Sequence, residues 1–209
     1  MQPQPTTAAP ATTPAADTDG NAQPTERLLS TAKLLFCRDG IHATGIDRII
    51  AESGVARMTL YNRFGSKEGL LYAVLEREGE EWRDWFFSAV EAAGGTPAQK
   101  LKAVFPVLRS WFEREDYFGC AFINAVAEHD KSETRLRGLT LQHKGAVLAF
   151  FGRLAREAGI AAPEALAHQI GLLMDGAIVA AMVTQQPAMA DHAAAAASAI
   201  LDAALPAAA

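Results

Sequence analysis

Cysteine is scarce: 209 residues hold two, Cys37 and Cys120. They lack metal-ligand spacing and are too few to staple a fold, so neither a zinc module nor a disulfide framework is expected, and a reducing compartment fits better. The five histidines, His42, His129, His143, His168 and His192, show no i, i+4 pair and no neighbouring cysteine cluster, so no metal site and no other cofactor are expected. There is no glycine-rich phosphate loop and no nucleophile elbow, which removes the common catalytic frameworks, and the chain is expected not to be an enzyme. No segment alternates polar and apolar residues as a half-buried strand does. No run of about 18 apolar residues stands out as a membrane span, and the start lacks the basic and apolar regions of a secretory signal. A cytoplasmic location without membrane contact is expected from these absences. Positive charge is also short, with 19 Lys and Arg against 24 Asp and Glu and a net charge of −5.

The distribution of that charge says more than its sum. Residues 25–68 carry seven bases (Arg27, Lys33, Arg38, Arg48, Arg57, Arg63, Lys67) against five acids (Glu26, Asp39, Asp47, Glu52, Glu68). This segment is therefore locally basic in an acidic chain, the balance a nucleic-acid partner favours. Residues 1–24 are mostly Pro, Thr, Ala and Gln, with only Asp17 and Asp19 charged and no apolar periodicity, and are read as a disordered arm.

From residue 25 onward helical periodicity dominates, and an all-α fold of about nine helices is expected. Thr25 is placed to cap a first helix whose apolar positions Leu28, Leu29, Ala32, Leu35 and Phe36 recur at three and four, with Gly40 closing it. Two short helices follow, 46–53 and 57–64, joined by a turn at Gly54. Ile46, Ile49 and Ile50 share one face of the first, and Val55, Leu60 and Phe64 form the inward set of the second. Two short helices across a tight glycine turn make a helix-turn-helix. Ser66 caps a long fourth helix through Glu91, and later segments are read at 97–115, 119–128, 131–158, 163–185 and 189–205.

The string Met58-Thr59-Leu60-Tyr61-Asn62-Arg63-Phe64-Gly65-Ser66-Lys67-Glu68-Gly69-Leu70-Leu71, preceded by Thr44, Ile46, Ile49, Ala51, Gly54 and Val55, closely resembles the signature of the tetracycline-repressor (TetR) family of bacterial regulators. The resemblance covers about residues 25–72. It implies a three-helix DNA-binding domain there, after an arm at 1–24, and a helical ligand-sensing and dimerisation domain over 73–209. A recognition helix sets its N-terminal side chains on base edges while flanking groups hold phosphates. Arg57, Met58, Tyr61 and Asn62 are then candidates for bases, and Thr44, Thr59, Tyr61, Arg63 and Lys67 for phosphates. Lys67 supports this on its own: a cation in the first turn opposes the helix dipole, a conflict that a bound phosphate resolves. Arg63 stands where the family often has histidine. Asp47 stands where some members carry a base, and it is left out of the contact set.

The remainder is less legible. Trp82, Phe86, Trp111, Phe122 and Met174 either line a cavity between helices or fill the core, and Asn124 and Asp175 are polar groups inside apolar runs that need partners, a ligand or an internal bond. All seven are carried as candidate ligand contacts. Gly119 to Glu128 looks like a segment found near the pocket in one branch of the family. Small residues of the last two helices, with Gly171, Ala177, Ala180 and Ala181 and then 193–197, suit the terminal-helix dimer interface that the family implies. The expected function is a regulator, most simply a repressor, that binds a palindromic duplex operator as a homodimer and is released by a small, largely apolar inducer. A helical enzyme and an interaction module without its own DNA site are the alternatives.

Overall fold

A computed structural model describes residues 19–130 and 132–205, with side chains from residue 23. Among the described residues there are nine α-helices and no strand: α1 Asp19–Asp39, α2 Ile46–Ser53, α3 Arg57–Phe64, α4 Lys67–Ala92, α5 Pro97–Phe112, α6 Ala121–Glu128, α7 Thr134–Glu157, α8 Pro163–Thr184 and α9 Met189–Ala204. The arm expected over 1–24 lies outside the described residues as far as residue 18. Over 19–24 the expectation is corrected, because these residues already belong to α1 and Thr25 is not its cap. Pro24 is tolerated there because one helical turn precedes it and it forfeits a single bond near the helix end.

The apolar stripe of α1 is buried as its spacing demands, with Leu28, Ala32, Leu35 and Phe36 sealed against α2, α3 and α4. Ser66 caps α4 as expected, its Oγ accepting from the Gly69 N–H at 3.0 Å. Thr96 and Gln99 form a reciprocal capping box at α5, and Glu133 caps α7 by accepting from Arg135 and Leu136 N–H groups. Helix α4 is continuous through residue 72, so the divide between the two expected domains falls inside one rigid helix.

Helices α4 to α9 pack into a bundle in which α8 lies against both α7 and α9, and α5 lies against α9 and α7. Its aromatic spine includes Phe87 stacked on Phe150 at 4.2 Å and Phe86 edge-on to Phe151 at 6.3 Å. Helix α8 overturns one reading of the sequence: it is long and apolar enough to cross a membrane, with a mean hydropathy of 1.6. The reason is a helix apolar on two sides. Gly171, Met174, Ala177 and Ala181 are buried inside the bundle, while Leu172, Val179 and Val183 point outward at 74, 38 and 72% exposure.

Candidate nucleic-acid interface and effector cleft

The turn between α2 and α3 is built by one residue that only glycine suits well. Gly54 sits at φ +64°, closing α2 with its N–H on the Ile50 carbonyl at 3.1 Å. Arg27 of α1 donates to the Ser53 carbonyl at 3.3 Å and pins the turn to α1. Ile49, Val55 and Leu60 are buried beneath it. With Leu60 inward, the helical repeat turns Arg57, Met58, Tyr61, Asn62 and Arg63 to solvent. Met58 is 65% exposed, which leaves an apolar side chain available for contact on this face. Thr59 and Lys67 flank this face, half-buried. The structure thus brings together seven of the eight residues singled out for DNA.

Thr44 is the correction. It is fully buried, and its hydroxyl lies against the Gly40 carbonyl at 2.7 Å and the Leu35 carbonyl at 3.3 Å. Its donor closes the end of α1 rather than reaching a phosphate. Gly45, the next residue, opens α2 without any side-chain cap. A second finding concerns Arg57, whose guanidinium is ion-paired with exposed Asp47 across the α2–α3 angle. The acid that looked out of place near a DNA groove is therefore the partner that holds the foremost arginine. Sequence reasoning did not find the contact that ties this unit to the bundle. Glu128 at the end of α6 accepts from the Ile41 and His42 N–H groups at 3.0 and 2.9 Å, with the His42 ring 3.4 Å from the same carboxylate. Nothing in the string around Glu128 signals partners more than eighty residues away.

A cleft of about 440 Å³ opens between α1, α4 and the α5–α6 connection. Trp82, Trp85, Trp111 and Phe118 form its apolar walls, and α1 contributes Lys33, Leu34 and Cys37. It is not the apolar chamber expected, since Lys33 pairs with Glu78, Arg77 with Glu26 and Glu81, and Arg114 with Asp116 around its rim. A smaller chamber of about 20 Å³ adjoins it, sharing Glu78, Trp82, Trp111 and Ala121, and is lined further by Phe122, His143, Lys144 and Met174.

Four of the seven expected ligand residues, Trp82, Trp111, Phe122 and Met174, stand at these two spaces. The others do not. Phe86 is fully buried under Trp82, stacked at 4.6 Å, and is core. The Asn124 amide donates to the Phe118 carbonyl at 2.9 Å, an internal bond that shapes the loop before α6. Asp175 is ion-paired with Lys144 and faces a separate groove beside His168 and Leu172. His143, missed in the sequence, stacks on Phe122 at 4.2 Å and receives Arg83 at its Nδ1 at 3.1 Å. Burial, aided by the charges of Lys144 and Arg83, pushes its pKa down to about 3, so the ring is neutral.

A family profile described as bacterial regulatory proteins of the tetR family matches residues 28–74. The transcriptional activator FasR of Mycolicibacterium smegmatis is 27% identical over 151 residues, which cover 70% of this chain and 66% of that protein. The transcriptional regulator LmrA of Bacillus subtilis is 32% identical over 114 residues, covering 54% of this chain and 60% of its own length. The matches therefore span less than two thirds of either relative. A crystal structure of a TetR-family transcriptional regulator from Streptomyces coelicolor superimposes with a TM-score of 0.80 at 29% identity, covering 88% of this chain and 96% of that one.

Proposed function

The chain belongs to the TetR family of bacterial transcriptional regulators, and from that premise we propose that it is a repressor that grips a palindromic operator as a homodimer and lets go when a small molecule enters the cleft. One observation carries the DNA part: Arg57, Met58, Tyr61 and Asn62 stand exposed on α3 while Leu60 of the same helix is fully buried. A helix presented this way fits the major groove, where Arg pairs with guanine, Asn with adenine and Met58 meets a thymine methyl. Thr59, Arg63 and Lys67 then hold phosphates on either side. Each protomer forms a DNA-reading unit up to about residue 72 and a sensing and dimerising unit beyond it.

The effector part is supported by the cleft, which touches α1 of the DNA-reading unit and α4 at once, so a bound molecule bears on both. The outward stripe of α8 supplies the surface for a second copy. Action on the chromosome places the protein in the cytoplasm, with no membrane partner and no cofactor. FasR is named an activator, so the sign of control needs its own test. Genomic fragments recovered on the protein are placed before a reporter in cells with and without the regulator. A shared palindrome in the fragments and higher reporter output without the regulator are expected. Recovery of random fragments would remove the operator claim, and lower output would reverse the sign.

A further inference from the structure

Trp82 walls both the cleft and the small chamber, and its indole Nε1 is buried with no hydrogen-bond partner among the described residues. A buried donor that has lost its water and gained no acceptor is costly, and native proteins keep few of them. The second donor follows from its neighbour. A guanidinium can only donate, so Nδ1 of His143 must accept from Arg83, and a neutral ring that accepts at Nδ1 carries its hydrogen on Nε2. The hydrogen bond given for the ring is this one from Arg83, which leaves Nε2 as the donor on the ring's other side.

The charges lining the chamber are balanced rather than selective. Lys144 is ion-paired with Asp175 and Glu78 with Lys33, although Glu78 Oε2 accepts no hydrogen bond among the described residues, and Arg83 lies behind His143 on a groove that also holds Glu76 and Glu80. The preference for an acceptor oxygen therefore rests on the indole and imidazole donors and not on net charge. Size separates two parts of a ligand: about 20 Å³ admits a group no larger than one or two atoms, since a water needs roughly 10–15 Å³. The adjoining 440 Å³ lies within the range of small-molecule sites of about 300–1,000 Å³. All three tryptophans of the chain line that larger space, giving indole faces and edges for a flat ring system.

We propose that the chamber seats an acceptor oxygen of the effector, a carboxylate or conjugated carbonyl on a flat aromatic body, with Trp82 Nε1 and His143 Nε2 as its donors. This deepens the effector-responsive reading and rests on it for biological consequence, but it is tested on the free protein. Calorimetry of the full chain uses three matched probes: 2-naphthoate, 2-acetylnaphthalene and 2-naphthylmethylamine. The two oxygen-bearing probes are expected to bind at least roughly tenfold tighter than the protonated amine, whichever of the two leads. Trp82→Phe keeps a ring and removes the donor, and should weaken naphthoate binding roughly fivefold, while Trp85→Phe changes it less than about twofold. Equal or tighter binding of the amine, no binding of any probe at millimolar concentration, or an equal effect of the two tryptophan variants overturns the proposal. The probe order in the unmodified chain needs no variant and stands even if Trp82→Phe folds poorly. Binding of the same preparations to sheared duplex DNA is followed alongside. Retained DNA binding with a failed probe order isolates the fault to the oxygen seat, and loss of DNA binding in the unmodified chain faults the regulator.

Discussion

At the scale of single residues, the proposed DNA reading divides the face of α3 by chemistry into groups that read and groups that hold. Arg63 and Lys67 carry charge but no sequence information, so Arg63→Ala and Lys67→Ala should weaken binding to operator and random duplex alike. Each should reduce the salt-dependence slope by about 0.9. Arg57→Ala and Asn62→Ala should instead relax sequence preference, each losing about 1–3 kcal/mol of discrimination if it meets a base. Fluorescence anisotropy over a salt series, with operator and scrambled duplexes, separates the two patterns. An Arg57→Ala variant that keeps full sequence preference would assign that arginine to Asp47 alone, its ion-pair partner in the free protein. Cys37 gives a simpler prediction. Burial pushes its thiol up to about 12, and the Glu78 carboxylate adds to that. Only the thiolate is a good nucleophile, so at pH 8 a fraction of about 10⁻⁴ is reactive. Iodoacetamide should modify the native chain far more slowly than the chain in denaturant. Comparable rates would reopen a redox role for this cysteine.

At the scale of elements, the two units are joined by more than the pairing of α1 with α4 through Lys33–Glu78 and Glu26–Arg77. Helix α4 runs about 39 Å from its Ser66 cap at the DNA face past Trp82, and Glu128 brings the end of α6 onto the α1–α2 turn. Burial alone would raise the Glu128 carboxyl, but the N–H groups of His42 and Ile41 and the His42 ring outweigh it and hold it below the usual carboxylate range. A folded-state pKa below the unfolded one means that the stabilisation is present above about pH 4.3 and fades as pH falls through the folded value. Urea unfolding between pH 6 and 3 should therefore show a steeper loss of stability for the unmodified chain than for Glu128→Gln. Parallel curves would make this contact energetically silent.

These elements also mark what a sequence can reveal. Helix positions were legible because Leu28, Ala32, Leu35 and Phe36 repeat with the helical period, and the later boundaries fall within three residues of those read from caps and glycines. The exposed side of α3 followed once Leu60 was placed inside. The start of α1 was not legible, because Pro24 looks like a stop when it is only a weak link near a helix end. Trp82 and Phe86 share one face of α4, yet Phe151 of α7 seals only the second, a contact between residues 65 apart in the chain. The same limit hid the Arg83–His143 bond and the burial of Thr44, whose hydroxyl is used by α1 itself.

At the scale of the whole molecule, an outward apolar stripe on a helix that is otherwise core asks what covers it. Leu172, Gly176, Val179 and Val183 of α8 follow one another at steps of four, three and four and so share one face. Solvent is a poor neighbour for two aliphatic side chains exposed by more than 70%. A second copy brought against the same stripe by a two-fold axis would bury it twice, with Gly176 permitting close approach. Such a pair is also what DNA requires, because two recognition helices must reach successive major-groove segments about 34–36 Å apart. Charge placed on the stripe should therefore act on DNA from a distance. Leu172→Asp with Val183→Asp is expected to shift the light-scattering mass from that of two chains to that of one. Affinity for a full palindrome should fall by roughly 10²–10⁴, because the second half-site no longer binds within the same complex. Affinity for an isolated half-site, which a single chain reads, should stay within about twofold. A double variant that remains dimeric would move the interface elsewhere on the bundle, and a monomer that still holds the palindrome at full strength would show that one chain suffices for the operator.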